Sequence, residues 1–225
     1  MSIVFFLNSF FLFSFRFLIA GHYEERFETI YREKLWGVNE DNEGYSGGGS
    51  DLNNILPYYR YLVQFIQEHN IRTVVDLGCG DWTFSKYLDW SGIDYVGYDV
   101  VASVIEKNRQ KYGSEHIQFV HGNFLSEELP EADLVLCKHV LQHMPNKDVF
   151  SFLKLLPRFK HCLILNAAPV GSINIDYPVE ETFPFWEDRG IDLTLPPFNV
   201  KGAKVLEYSQ PFNGSGRDIL IHLQP

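Results

Sequence analysis

A doubly wound α/β fold, with a mainly parallel sheet and helices on both faces, is predicted by three features of this 225-residue chain. Apolar, β-branched runs alternate with helix-like segments from Thr73 to Asn166. The first run, Thr73-Val74-Val75-Asp76-Leu77, opens directly into the glycine turn Gly78-Cys79-Gly80. The tail breaks the alternation: Lys204 to Gln210 and Asp218 to Leu223 flank Pro211-Phe212-Asn213-Gly214-Ser215-Gly216, which reads as a hairpin. A hairpin makes the last strand antiparallel to its neighbour.

The elements follow in order. Residues 22–36 repeat apolar positions at helical spacing through Tyr23, Phe27, Ile30, Tyr31 and Leu35. Residues 37–50 are polar and glycine-rich, hence a loop. Residues 52–69 read as a helix with Leu56, Tyr59, Leu62, Val63 and Ile66 on one face and Pro57 in the first turn, where proline is tolerated. Strands are expected near 73–77, 95–99, 117–121, 133–137 and 161–166, and helices near 83–89, 102–112 and 147–156. Residues 169–202 are long for a connection, and loops of that length inside a compact domain are usually functional or disordered.

Composition narrows the function. The chain fits one domain with a substantial core. Its net charge of −10, with no basic run, argues against a nucleic-acid partner, because phosphate backbones are bound by clustered Lys and Arg. Cys79, Cys137 and Cys162 fall on or beside expected central strands and lack metal-ligand spacing, which fits packing in a reducing compartment. Residues 1–20 differ from the rest: between Ile3 and Ala20 every position is apolar except Asn8, Ser9, Ser14 and Arg16. The length is borderline for a membrane span, and Arg16 and Asn8 count against deep insertion. Two readings stay open, an anchor or a start placed upstream of the folded domain. If it is an anchor, Arg26, Arg32 and Lys34 keep the domain on the cytoplasmic side. The domain proper is taken as residues 21–225.

The glycine turn carries the first functional signal. An acid at the end of a first strand, followed by glycines, lets a ligand rest on bare backbone. Gly78 and Gly80 permit an approach that a Cβ would block. Asp99 ends the second expected strand, 23 residues after Asp76, where a carboxylate can accept both hydroxyls of a ribose.

These residues resemble the class I S-adenosylmethionine-dependent methyltransferases, and the resemblance runs through roughly residues 27–225. Phe119 to Phe124 looks like the end of that family's third strand, and Ala132 to Pro145 like the fourth strand and the segment lining the methyl-transfer site. Tyr45-Ser46-Gly47-Gly48-Gly49-Ser50, and Asp188 to Leu193 followed by Pro196-Pro197-Phe198, are similar to a subgroup of small bacterial members, many of undefined substrate. The chain departs from the pattern twice. Trp82 stands where a third glycine is common, and Asn123 stands where the adenine-contacting residue is often Asp.

The resemblance implies a seven-stranded sheet of order 3-2-1-4-5-7-6, the seventh strand reversed, with S-adenosylmethionine as cofactor. It implies that Asp76, Gly78, Cys79 and Gly80 hold the methionine part, that Asp99 holds the ribose, that Asn123 and Phe124 border the adenine, and that Lys138 lies near the methionine part and the methyl. For Phe124, core packing stands equally open. Residues 169–202 and the N-terminal helices are expected to cover a small-molecule or glycan-type acceptor. Ser46 to Ser50 is either a flexible linker or a glycine nest closing over the donor.

Methyl transfer from a sulfonium needs alignment and exclusion of water, and a base only if the acceptor must lose a proton. His143 and His139 follow the fourth strand and are the candidate bases, with a structural role equally open for each. Their spacing puts them on one face if that turn is helical. His-x-x-x-His is also a metal spacing, but no Glu lies between them and no metal is expected. Leu195-Pro196-Pro197-Phe198 superficially matches the Pro-Pro-aromatic motif of nucleic-acid amino-methyltransferases, but it begins with Leu and follows the fifth strand instead of the fourth. Two rival readings remain: a dinucleotide-dependent oxidoreductase, which would want a third glycine, and a non-catalytic nucleotide-binding or membrane-tethered scaffold on the same fold.

Overall fold

The computed structural model describes residues 23–169, 171, 173–176, 189–209 and 216–225. The apolar segment 1–20, the stretch 177–188 and the turn expected at 210–215 lie outside the described residues. Residues 23–32 are helical (α1). They are followed by α2 (Leu56–Glu68), β1 (Thr73–Leu77), β2 (Asp94–Asp99), α3 (Ala102–Tyr112), β3 (Ile117–His121), β4 (Ala132–Lys138), α4 (Asn146–Leu153), β5 (Phe159–Ala167), β6 (Ala203–Ser209) and β7 (Arg217–Leu223).

The seven strands form one sheet in the order β3-β2-β1-β4-β5-β7-β6. The β1–β2, β1–β4, β2–β3 and β4–β5 pairs are parallel. β7 runs antiparallel to both β5 and β6. The order reverses between β1 and β4, so the carboxyl ends of these strands border a crevice, the usual ligand position in such sheets.

Burial on both faces explains why the strands read as continuous apolar runs. Alternate side chains go to opposite sides. Val75, Leu77, Val135, Cys137, Ile164 and Ile219 pack with Val149 and Phe152 of α4. Val74, Leu134, Leu136, Leu163, Leu165 and Leu220 pack with Tyr58, Leu62 and Phe65 of α2. All three cysteines are buried and free.

Two local expectations change. The helix expected over 83–89 is only a 3-10 turn, Ser85–Tyr87. Trp82 sits just before it in a left-handed conformation (φ 60°), 4% exposed, with its ring 5.0 Å from Tyr112, 5.3 Å from Phe119 and 5.5 Å from Tyr95. The segment after β4 is not a helical turn either. His139 takes φ 56° and a 3-10 turn spans Leu141–His143, so the two histidines do not share a helical face. Among the described residues, no helix is long and apolar enough to cross a membrane.

Candidate active site

A cavity of about 830 Å³ lies at the carboxyl ends of β1, β2 and β4, within the size range of small-molecule sites. It brings together every residue singled out for the donor: Asp76, Gly78, Cys79, Gly80, Asp99, Asn123, Phe124 and Lys138, together with His139 and His143.

The glycine turn is tied to β2. Gly78 N and Cys79 N donate to Tyr98 O at 2.8 and 3.0 Å. Gly80 N donates to Asp99 Oδ2 at 3.0 Å, and Val101 N donates to Asp99 Oδ1 at 3.0 Å. Each carboxylate oxygen has a second lone pair, so Asp99 keeps capacity to accept from a ligand. Gly78 has φ 81°, and a Cβ there would stand 2.3 Å from Val140 Cγ2. The position therefore requires glycine on conformation and on space. Asn108 of α3, 1% exposed, donates to Gly80 O at 2.7 Å and fixes the turn from the helix side.

Asp76 is 4% exposed and accepts from Tyr95 Oη at 2.8 Å. Burial raises its carboxyl to about 6, with the Tyr95 hydrogen bond and the charge of Lys138 opposing the rise. Lys138 donates to Gly49 O at 3.0 Å and to Ser50 Oγ at 2.9 Å. Burial lowers its ammonium to about 8, against the pull of Asp218, Asp76 and Asp81. Asn123 turns its side-chain oxygen to Leu125 N at 3.0 Å and so shapes the turn after β3. Phe124 lines the cavity and also packs edge-on to Phe152 at 6.1 Å.

The segment Ser46–Ser50 is a packed wall of the site. Ser46 Oγ donates to Asp81 Oδ1 at 2.7 Å and lies 2.7 Å from Tyr31 Oη, while Asp81 N donates to Ser46 Oγ at 3.1 Å. Gly48–Ser50 form a 3-10 turn. A Cβ on Gly49 would come within 2.7 Å of His139 Nδ1. This network was not legible beforehand, because it joins residues far apart in sequence. Only the Gly-rich composition and the two flanking serines hinted at it.

The two histidines differ. His139 N donates to Leu165 O at 2.8 Å, and His139 Nε2 lies 3.0 Å from Asp218 Oδ1 on β7. Asp218 is fully buried, and nothing in the local sequence marked it. His143 is 9% exposed, and its ring is 5.9 Å from Phe27 and 5.5 Å from Trp36. Burial, then the nearby charges of His139, Arg26 and Arg189, lowers its imidazole to about 3. A ring that weakly basic is a poor proton acceptor near neutrality. Arg189, 2% exposed, also lines the cavity and donates to Met144 O and Asn146 Oδ1. Pro196, Pro197 and Phe198 lie outside the cavity wall. Among the described residues, no group of three His, Cys, Asp or Glu side chains is arranged to hold a metal ion.

Comparison with known proteins agrees with this fold. Residues 75–159 match the family described as a methyltransferase domain. No curated protein matches the chain. Among solved structures, the chain is similar to magnesium protoporphyrin IX methyltransferase from Synechocystis PCC 6803 with bound SAH: 13% identity, TM-score 0.57, 93% of this chain and 100% of that one. The same enzyme with bound SAM aligns at 15% identity and TM-score 0.56, over 91% of this chain and 95% of that one. TehB from Haemophilus influenzae aligns at 16% identity and TM-score 0.52, over 78% of this chain and 66% of that one. Other solved chains that match are much longer, and this chain spans 22% and 44% of two of them.

Proposed function

We infer that this chain is a class I methyltransferase that transfers a methyl group from S-adenosylmethionine to a small-molecule acceptor, a reading supported by the methyltransferase-domain match over residues 75–159 and by the sheet order. The observation that carries this reading is the Asp99 carboxylate. It is held by Gly80 N and Val101 N at the carboxyl end of β2, lines the cavity and keeps capacity to accept further hydrogen bonds.

The residues fit the donor. The backbone of Gly78–Gly80 offers a surface free of side chains, Asp99 accepts the ribose hydroxyls, Asn123 and Phe124 border the base, and Asp76 and Lys138 face the methionine part. The sulfonium, when bound, supplies an already activated methyl group. The protein's own task is alignment and exclusion of water. The Ser46–Ser50 wall, fixed by Asp81, Tyr31 and Lys138, serves that task from above the glycine turn. His143 acts as a wall of the acceptor region, since its low basicity suits packing better than proton removal. His139, positioned by Asp218, stands beside it.

Calorimetry on the full chain tests the reading. Saturable binding of S-adenosylhomocysteine with no binding of NAD is expected. Binding of NAD without the sulfur compound would favour the oxidoreductase reading.

A further inference from the structure

His139 leaves β4 with a left-handed backbone (φ 56°), a conformation that a non-glycine residue keeps only where its surroundings fix it. Its backbone N–H donates to Leu165 O on β5 at 2.8 Å. Its side chain lines the cavity and reaches β7, where Nε2 lies 3.0 Å from Asp218 Oδ1. Asp218 is fully buried, and the β5–β7 register sets it opposite Ala167, itself a residue of the cavity wall. Its charge also acts on Lys138, opposing the fall of that ammonium, so the carboxylate has a cation nearby as well as the imidazole. A carboxylate this close to Nε2 favours the proton on that nitrogen. In the ring tautomer with Nε2–H, the lone pair sits on Nδ1. Nδ1 faces Gly49 of the cavity wall, and a Cβ there would stand 2.7 Å from it. Glycine at this position keeps a side chain off that edge of the ring.

Resting on the donor reading above, we propose that His139 is the proton acceptor of the reaction, taking through Nδ1 the proton of a hydroxyl on the acceptor, with Asp218 as its positioning residue. His143, lowered to about 3 by burial, is unsuited to that task. A hydroxyl is the acceptor class that calls for such a group. Its oxygen is a weak nucleophile until the proton leaves, whereas an amine attacks through a lone pair it already has. In the step, the hydroxyl proton passes to His139 Nδ1. The oxygen forms a bond to the methyl carbon, the carbon–sulfur bond breaks, and its electron pair stays on sulfur. The imidazolium so formed faces the Asp218 carboxylate, and it then releases the proton to solvent. The products are a methyl ether and S-adenosylhomocysteine.

Two measurements on the full chain test this. The first is ring-nitrogen NMR of isotope-labelled histidine at about pH 8, above the ordinary imidazole range, with S-adenosylhomocysteine saturating and the His139 signals assigned by their absence in His139→Gln. The proton is expected on Nε2, with Nδ1 bare. Asp218→Asn is expected to move the proton toward Nδ1, the tautomer change that follows when a carboxylate holding an imidazole is neutralised. A wild-type ring protonated on Nδ1 overturns the proposal, and an unchanged tautomer in Asp218→Asn removes the positioning role. The second measures labelled methyl passed from S-adenosylmethionine to a small-molecule cell extract. His139→Ala is expected to lower incorporation about a hundredfold, the lower end of general-base effects, while binding of S-adenosylhomocysteine stays within about threefold, which also certifies that the variant is folded. Added imidazole should restore part of the loss. Wild-type incorporation by His139→Ala contradicts the proposal, as does a loss of donor affinity as large as the loss of turnover. Failure of the wild type to bind S-adenosylhomocysteine overturns the donor reading itself.

Discussion

At the scale of single residues, the site depends on groups held away from their usual states. Gly78 combines φ 81° with 2.3 Å clearance to Val140 Cγ2. Gly78→Ala is expected to cost about 1–3 kcal/mol of stability from backbone strain and contact, and to weaken donor binding. Adding Val140→Ala should recover part of the loss, since it relieves the clash and leaves the strain. Urea melts of the single and double variants measure both parts, and no recovery would show that strain alone acts. Asp99→Asn keeps one acceptor oxygen and loses the charge. Donor affinity should fall by about 1.5–3 kcal/mol, the usual value of hydrogen bonds to a charged group. Unchanged affinity by calorimetry would show that Asp99 serves only Gly80 and Val101.

Titration also works at this scale. Burial lowers the imidazoles of His143, His161 and His222, and like-charged histidines nearby add to the effect for each. The folded state therefore resists protonation that the unfolded chain accepts near pH 6.5. The stability they contribute is complete above that pH and is lost as pH falls below it. Asp76, raised to about 6, acts in the opposite sense, because the folded state takes up its proton first. Asp99, raised by burial, and His116, raised by its hydrogen bond to Asp94, act with Asp76, but the three lowered histidines, with His143 down to about 3, outweigh them between pH 7 and 5.5, so the melting temperature should drop on acidification. Asp76→Asn should enlarge the drop and His161→Gln should reduce it. A melting temperature that rises from pH 7 to 5.5 would contradict this.

At the scale of elements, the strands were the most legible part of the chain. Val74, Val75, Val135 and Ile164 belong to β-branched runs buried on both faces, and such runs announce themselves. The first crossover was not legible. Thr83 to Asp89 has helical composition, yet Trp82 turns left-handed and stacks among Trp90, Tyr95, Tyr112 and Phe119, leaving only a 3-10 turn. Propensity yielded there to one large side chain seeking the core. Trp82→Gly restores the common third glycine and should nonetheless destabilise by about 3 kcal/mol or more through the cavity it leaves. A neutral or stabilising result in denaturant titration would show that the tryptophan is not a core residue.

At the scale of the whole molecule, the site has two halves of unequal legibility. The sheet half, Asp76, Gly78–Gly80, Asp99 and Asn123, sits at strand ends and follows from local pattern. The cover half does not. Ser46 reaches Asp81 across 35 residues, Lys138 reaches Gly49 across 89, and His139 meets Asp218 on β7. Such contacts depend on topology, which a local pattern cannot express. They also explain why a polar, glycine-rich stretch forms an ordered wall: Gly49 fits where a side chain would strike His139, and Lys138 holds its carbonyl.

The central claim is that both halves enclose one donor molecule. Hydrogen exchange of the full chain, with and without S-adenosylhomocysteine, tests it most directly. Slowed exchange is expected together at residues 46–50, 78–81, 99–101 and 138–143, the backbone lining the cavity from both sides. Protection confined to other regions, or none at saturating ligand, would contradict the account.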